Sequence, residues 1–138
     1  MKVERVVFDT NVLISATLQP TGSTRAAVEA VRVAQGVLLF SDETFEELRT
    51  RFLRPKFDPY VSHEIRALFL AQIDSVSERV SITGAKLGCR DSDDDKIIET
   101  ALAGEAACIV TGDKDLLVMS PFQNIPIVTP AVFLVNID

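Results

Sequence analysis

The sequence predicts an α/β fold in which a central parallel sheet is flanked by helices. Three observations carry this expectation. Short apolar runs alternate along the chain with longer segments of helical period, the pattern of repeated strand–helix units. The runs lack the polar/apolar alternation of a half-solvated sheet, so their strands are expected to be buried on both faces. Two of them, Val6-Val7-Phe8-Asp9 and Cys108-Ile109-Val110-Thr111-Gly112-Asp113, end in the same way, on an acid. A chain of 138 residues can bury a core without metals or disulfides as staples, and residues 1–138 read as a single domain.

Residues 3–8 form the first strand. After Asp9 a short helix over 11–16 follows, with Thr10 or Asn11 as its cap. Pro20 and Gly22 make 19–23 a loop. A helix then runs from Ser23 or Thr24 to about Gln35, with Ala26, Ala27, Ala30, Val31 and Ala34 as its apolar stripe and Gly36 as its stop. Val37 to Phe40 is the second strand. Ser41-Asp42 caps a helix carrying Phe45, Leu48 and Phe52, which ends before the breaker-rich stretch 54–59. The next helix spans about Val61 to Ser77, with Ile65, Leu68, Phe69, Gln72, Ile73 and Val76 down one side. A brief strand over Arg79 to Ile82 leads through Gly84 and Gly88 to the acidic cluster 91–95. That cluster opens a helix through Ile97, Ile98, Ala101 and Leu102. The strand 106–110, a helical turn 114–119, a strand 125–128 and a last helix or strand 130–135 close the chain.

The formal net charge of −6 argues against a protein that holds nucleic acid through a general positive field. It leaves room for local basic strips and for contact through a metal. Cys89 and Cys108 have no metal-ligand spacing and read as reduced, structural thiols. The N-terminus is charged at once by Lys2, Glu4 and Arg5, and no apolar run reaches membrane-spanning length. The expectation is a soluble, cytoplasmic protein.

Right-handed crossovers put every strand-to-helix junction on one edge of a parallel sheet. Acids stand at four such junctions: Asp9, Glu46 or Glu47, one or more of Asp93, Asp94 and Asp95, and Asp113. Singly, each has an ordinary explanation, as a helix-dipole partner, a solvated helix face or a turn. Asp9 resists one, since an apolar strand gains nothing structural by ending in an uncapped carboxylate. Together, carboxylates on one edge repel unless a cation neutralises them, and an oxygen-only set favours Mg²⁺ or Mn²⁺ over Zn²⁺.

The ordered set VVFDTNVLIS, TFEELRTRFLRPKF, SDDDKIIETALA and CIVTGDKDLL resembles the PIN-domain family, specifically the toxin-like branch that includes the VapC ribonucleases. The resemblance covers essentially the whole chain. It implies a three-layer Rossmann-like fold, a metal-dependent nuclease site and RNA as substrate. By the family's motifs, Asp9 matches the first acid, with Asn11 completing its D-x-N pattern. Glu47 matches the second through Thr-x-x-Glu-Leu from Thr44. Helical periodicity votes differently and keeps Glu46 as the alternative. Asp95 is matched to the third acid through Asp-x-x-Ile, with Asp94 as helper, and Asp113 is the fourth. Thr111 and Asp115 support it. The resemblance further implies a cognate antitoxin as a separate chain and self-association as a homodimer or higher oligomer.

With the four acids as catalytic metal ligands, the chemistry is phosphodiester hydrolysis by a metal-activated water, and no histidine base is required. His63, the sole histidine, lies near a helix start and reads as a surface residue. Arg49, Arg51, Arg54 and Lys56 form a candidate strip for the RNA backbone, and Lys96 and Lys114 flank two of the acid motifs. Two other readings compete. A catalytically silent domain could bind RNA or a partner. A haloacid dehalogenase-like phosphatase also opens on an apolar strand ending in Asp, but it needs a second Asp where Asn11 stands.

Overall fold

The computed structural model describes residues 4–19 and 21–137. Val3, where the first strand is expected to begin, and Pro20 of the expected loop lie outside them. The elements run β1 (Arg5–Phe8), α1 (Thr10–Leu18), α2 (Ser23–Val33), β2 (Val37–Phe40), α3 (Asp42–Phe52), α4 (His63–Ser75), β3 (Ser77–Arg79), α5 (Asp95–Ala103), β4 (Cys108–Val110), α6 (Lys114–Leu117), β5 (Ile127–Val128) and α7 (Pro130–Asn136). All five strands are parallel, in the order β3-β2-β1-β4-β5. This is the α/β fold the sequence predicts, a parallel sheet flanked by helices.

Strand parity sorts the core into two layers. Val6, Phe8, Leu38, Phe40, Cys108 and Val110 face one way, onto apolar residues of α1, α2, α3, α4 and α7. Val7, Leu39, Ile109 and Ile127 face the other way, onto Ile97, Ile98 and Ala101 of α5 and Leu116 of α6. Successive strand residues point to opposite faces, so both parities must be apolar, which is why these strands read as unbroken apolar runs.

Several local expectations shift. The third strand sits at Ser77–Arg79 rather than 79–82, and the last element is a helix. Asp9 itself holds the cap position of α1 with no side-chain capping bond, in place of Thr10 or Asn11. The largest difference is in α4. The expected inward stripe is rotated: Arg66, Leu70 and Ile73 are buried, while Ile65 and Leu68 are more than half exposed. The cause is Arg66, whose fully buried guanidinium donates to the Phe52 and Arg54 carbonyls at 2.9 and 3.1 Å and pairs with Asp58. It closes the orphan carbonyls at the end of α3, and no sequence period marks an arginine as core. The outward residues of α4 and the facing side of α2 line an open, largely apolar groove of about 1050 Å³. Among the described residues no helix is long and apolar enough to cross a membrane.

The chain leaves β1 toward β2 and β3, then returns to β4 and β5 on the other side. The carboxyl ends of β1 and β4 therefore flank the point where strand order reverses, the crevice in which open α/β sheets hold ligands.

Candidate active site

Asp9 follows β1 and Thr111 follows β4, and a single hydroxyl joins them. Thr111 Oγ1 donates to Asp9 Oδ2 at 2.8 Å and accepts the Asp113 backbone N–H at 3.0 Å. The Asp9 backbone N–H donates to the Val110 carbonyl at 2.9 Å, continuing the sheet one residue past the strand. Both Asp9 and Thr111 are buried. Burial raises the Asp9 pKa above the usual carboxylate range, the hydrogen bonds from Thr111 and from the Thr10 backbone partly offset this, and the charges of Glu47 and Asp113 add to the rise. Asp113 caps α6, its Oδ1 accepting the Asp115 backbone N–H at 2.9 Å.

Glu47 reaches the same edge from α3. Its side chain is 13% exposed, whereas that of Glu46 is 56% exposed and paired with Arg49 on the outer surface. The N-terminus of α3 is pinned by a reciprocal box in which the Ser41 N–H donates to Thr44 Oγ1 at 2.9 Å and the Thr44 N–H donates to Ser41 Oγ at 3.1 Å. Thr100 of α5 donates to the same Ser41 hydroxyl at 3.1 Å, tying the Glu47 helix to the helix that follows the acidic cluster.

In that cluster the structure separates two neighbours. Asp94 faces Asp113 and Asp9: desolvation first, then the charges of Asp113, Asp9 and Asp91, push its pKa up to about 7, and it shares a side-chain hydrogen bond with Asp113. Such a carboxyl–carboxylate bond requires a proton on one partner. Asp95, which the sequence matches to the third acid, turns the other way. Its Oδ1 accepts the Cys89 backbone N–H at 3.1 Å, and a hydrogen bond from the Cys89 thiol, followed by backbone bonds from Cys89 and Leu87, lowers its pKa. The two differ because Asp95 opens α5 over the buried Ile98 side while Asp94 sits one residue earlier, on the crevice side. Asp93 is exposed and donates its backbone N–H to the Asp91 carboxylate.

One turn along α5, Glu99 holds the irregular segment before the cluster. Its carboxylate accepts the backbone N–H groups of Thr83, Gly84 and Ala85 at 2.7, 3.0 and 3.0 Å and the Thr83 hydroxyl at 2.9 Å. Asp95 and Glu99, four residues apart on one helix face, thus replace a strand in fixing residues 83–89. Sequence reasoning passed over Glu99. Its signal is an acid at i+4 from Asp95, facing a glycine-bearing stretch whose amides lack ladder partners.

The expected basic strip is largely committed elsewhere. Arg49 pairs with Glu46, Arg51 with Glu47 at 2.5 Å, and Lys56 lies over the Phe57 ring at 5.1 Å. Arg54 is exposed. Asn11 is exposed on the first turn of α1, and Asp115 is half-buried with Arg90 Nη1 3.7 Å from its Oδ1. His63 is exposed at the start of α4, and both cysteines are free thiols.

The family model described as "PIN domain" matches residues 5–115. The chain belongs to the PIN-domain family. It is also similar to the uncharacterized protein MJ1680 of Methanocaldococcus jannaschii, with 36% identity over 114 residues, 82% of this chain and 73% of that protein. Membership makes a nuclease the general expectation for this PIN domain, with divalent metal and RNA as the family's usual cofactor and substrate. Among the described residues no three of the candidate donors stand close enough to form a complete metal cage. Carboxylates not joined by a cation repel one another, and the Asp94–Asp113 proton is the other way to relieve that repulsion. The acids along this edge, Asp9, Glu47, Asp94 and Asp113, are hard oxygen donors with no thiolate or imidazole among them, a set that suits Mg²⁺ or Mn²⁺.

Proposed function

We propose that this PIN domain is a metal-dependent endoribonuclease whose ligands are Asp9, Glu47, Asp94 and Asp113, with Asp95 as an anchor of the preceding segment rather than a ligand. The observation that carries the reading is Asp94, whose carboxyl is pushed up to about 7 by burial and by the charges of Asp113 and Asp9 at the crevice between β1 and β4. A fold that collects acids at this cost has a use for a cation there. When bound, Mg²⁺ or Mn²⁺ would lower the pKa of a coordinated water and polarise a phosphate oxygen. The residues do the rest. Thr111 orients Asp9 and partly offsets the effect of its burial, and the Ser41–Thr44–Thr100 network sets Glu47 against the Asp94 helix.

The toxin role, a cognate antitoxin supplied as a separate chain, self-association and a cytoplasmic setting belong to the same proposal and are supported by the family resemblance. Cleavage of single-stranded RNA should require Mn²⁺ or Mg²⁺ and stop in EDTA. Asp94→Asn should abolish it, while Asp95→Asn should retain part. The reverse order of severity would return the ligand role to Asp95, and metal-independent cleavage by the wild type would end the proposal.

A further inference from the structure

Glu47 has a cation on each oxygen. Arg51 stands 2.5 Å from Oε1 and the Lys96 ammonium 3.3 Å from Oε2. Two cations against one carboxylate leave Glu47 over-neutralised by its own partners. Neither cation has another ion-pair partner among the described residues. Lys96 is held as well as paired, with its side chain 27% exposed. Arg51 already neutralises the carboxylate, so a second ammonium is not needed to balance its charge, and ordering that long side chain costs entropy.

Placement gives the arrangement a purpose. Lys96 is carried on the first turn of α5, two residues after Asp94, so it is in register with the acids through helix geometry alone. Its partner Glu47 is close enough to Asp9 to raise that group's pKa. A phosphodiester entering this crevice meets a row of acids, Asp9 and the hydrogen-bonded Asp94–Asp113 pair, whose net charge is repulsive to it, and needs a positive charge at the border. An ammonium offers three N–H donors as a compact point charge, suited to a non-bridging phosphate oxygen.

We propose that Lys96 is a phosphate-binding residue of this site, held at its border by Glu47 and transferred to a backbone phosphate of the nucleic acid when it binds. The proposal rests on the nuclease reading above. It assigns backbone contact to a residue within the acid cluster, where the sequence pointed to the strip from Arg49 to Lys56.

The test is two titrations that need no turnover, on the full chain. One is calorimetry with MnCl₂. The other is fluorescence anisotropy of a labelled single-stranded oligoribonucleotide in EDTA over a series of low salt concentrations. Lys96→Met should weaken oligonucleotide binding about threefold to tenfold and reduce the salt slope by about 0.7, the loss of one phosphate contact, and Lys96→Arg should restore most of both. Affinity for Mn²⁺ should stay level or rise in Lys96→Met, because a competitor for Glu47 has gone. An unchanged salt slope would overturn the proposal and leave the nuclease reading standing. So would a parallel loss of oligonucleotide and Mn²⁺ affinity, the mark of a lysine that only holds Glu47 in place. Wild-type protein that binds neither probe would overturn both.

Discussion

Replacing Asp94 with Asn should stabilise the metal-free protein above neutral pH and remove its response to divalent cations. An unfolded aspartate ionises near 3.8, and the folded Asp94 carboxyl is pushed up to about 7. At pH 3 both states hold the proton and the substitution changes little. Between about pH 4 and 7 the unfolded chain releases its proton while the folded chain keeps it, so stability falls as pH rises; above about 7 the deficit is constant. A shift of about three pKa units has a ceiling of about 4 kcal/mol. Asp94 is half-buried, and solvent screening reduces this to about 1–2 kcal/mol. Asparagine keeps the shape and removes the charge.

Denaturant unfolding in EDTA at pH 3.5, 6 and 8 measures this directly. The two proteins should coincide at the lowest pH, with Asp94→Asn ahead by about 1–2 kcal/mol at pH 8. Adding Mn²⁺ at roughly 100 times its dissociation constant should raise the wild type by about 2.7 kcal/mol and the variant by much less, reversing their order. A variant less stable than wild type at pH 8 in EDTA would refute the reasoning, since Asp94 would then be stabilised by its surroundings rather than crowded by them.

Thr111→Val keeps the volume of the side chain but strips the donor from Asp9 and leaves the Asp113 backbone N–H without its acceptor. Denaturant unfolding should show a loss of about 1–3 kcal/mol, and calorimetry a weaker Mn²⁺ affinity. Glu99→Gln should loosen residues 83–89 without unfolding the chain: trypsin should cut sooner after Lys86 and Arg90, and amide exchange at Thr83, Gly84 and Ala85 should quicken. Because those backbone bonds, the Thr83 amide first, lower the Glu99 pKa, the same loosening should appear in wild type as pH falls through the folded value, below the ordinary glutamate range. Arg66→Met should cost about 2–4 kcal/mol in denaturant unfolding, since the Phe52 and Arg54 carbonyls lose their donor.

The parallel sheet and its acidic edge were legible because they rest on properties a sequence displays: apolar runs, helical periods and acids at the junctions between them. What was not legible turns on single-residue rotations. Asp-x-x-Ile is satisfied twice, by Asp94 with Ile97 and by Asp95 with Ile98, and both isoleucines are buried, so the pattern carries no preference between the acids. Only the tertiary turn into α5 decides which carboxyl meets Asp113 and which meets the Cys89 amide.

Periodicity misjudges the relative burial of Glu46 and Glu47 for a related reason. A stripe drawn through Phe45, Leu48 and Phe52 omits Thr44, which is polar by type yet buried, because its hydroxyl and amide are consumed by Ser41. With Thr44 included, the buried residues run 44, 48, 52, and Glu47 and Arg51 lie together along that stripe's border. The same holds for Arg66 on α4. In each case a polar side chain sits in the core because the backbone or a neighbour satisfies it, and a hydrophobicity pattern scores it as surface. The site inherits this bias: Asp9, Thr44, Asp95, Thr100 and Thr111 are all buried polar residues. The family motif points to Glu47, the less exposed of the two, where the helical wheel points to Glu46, because Thr44 is part of that motif. It carries the chemistry of the helix start that a hydrophobic stripe leaves out.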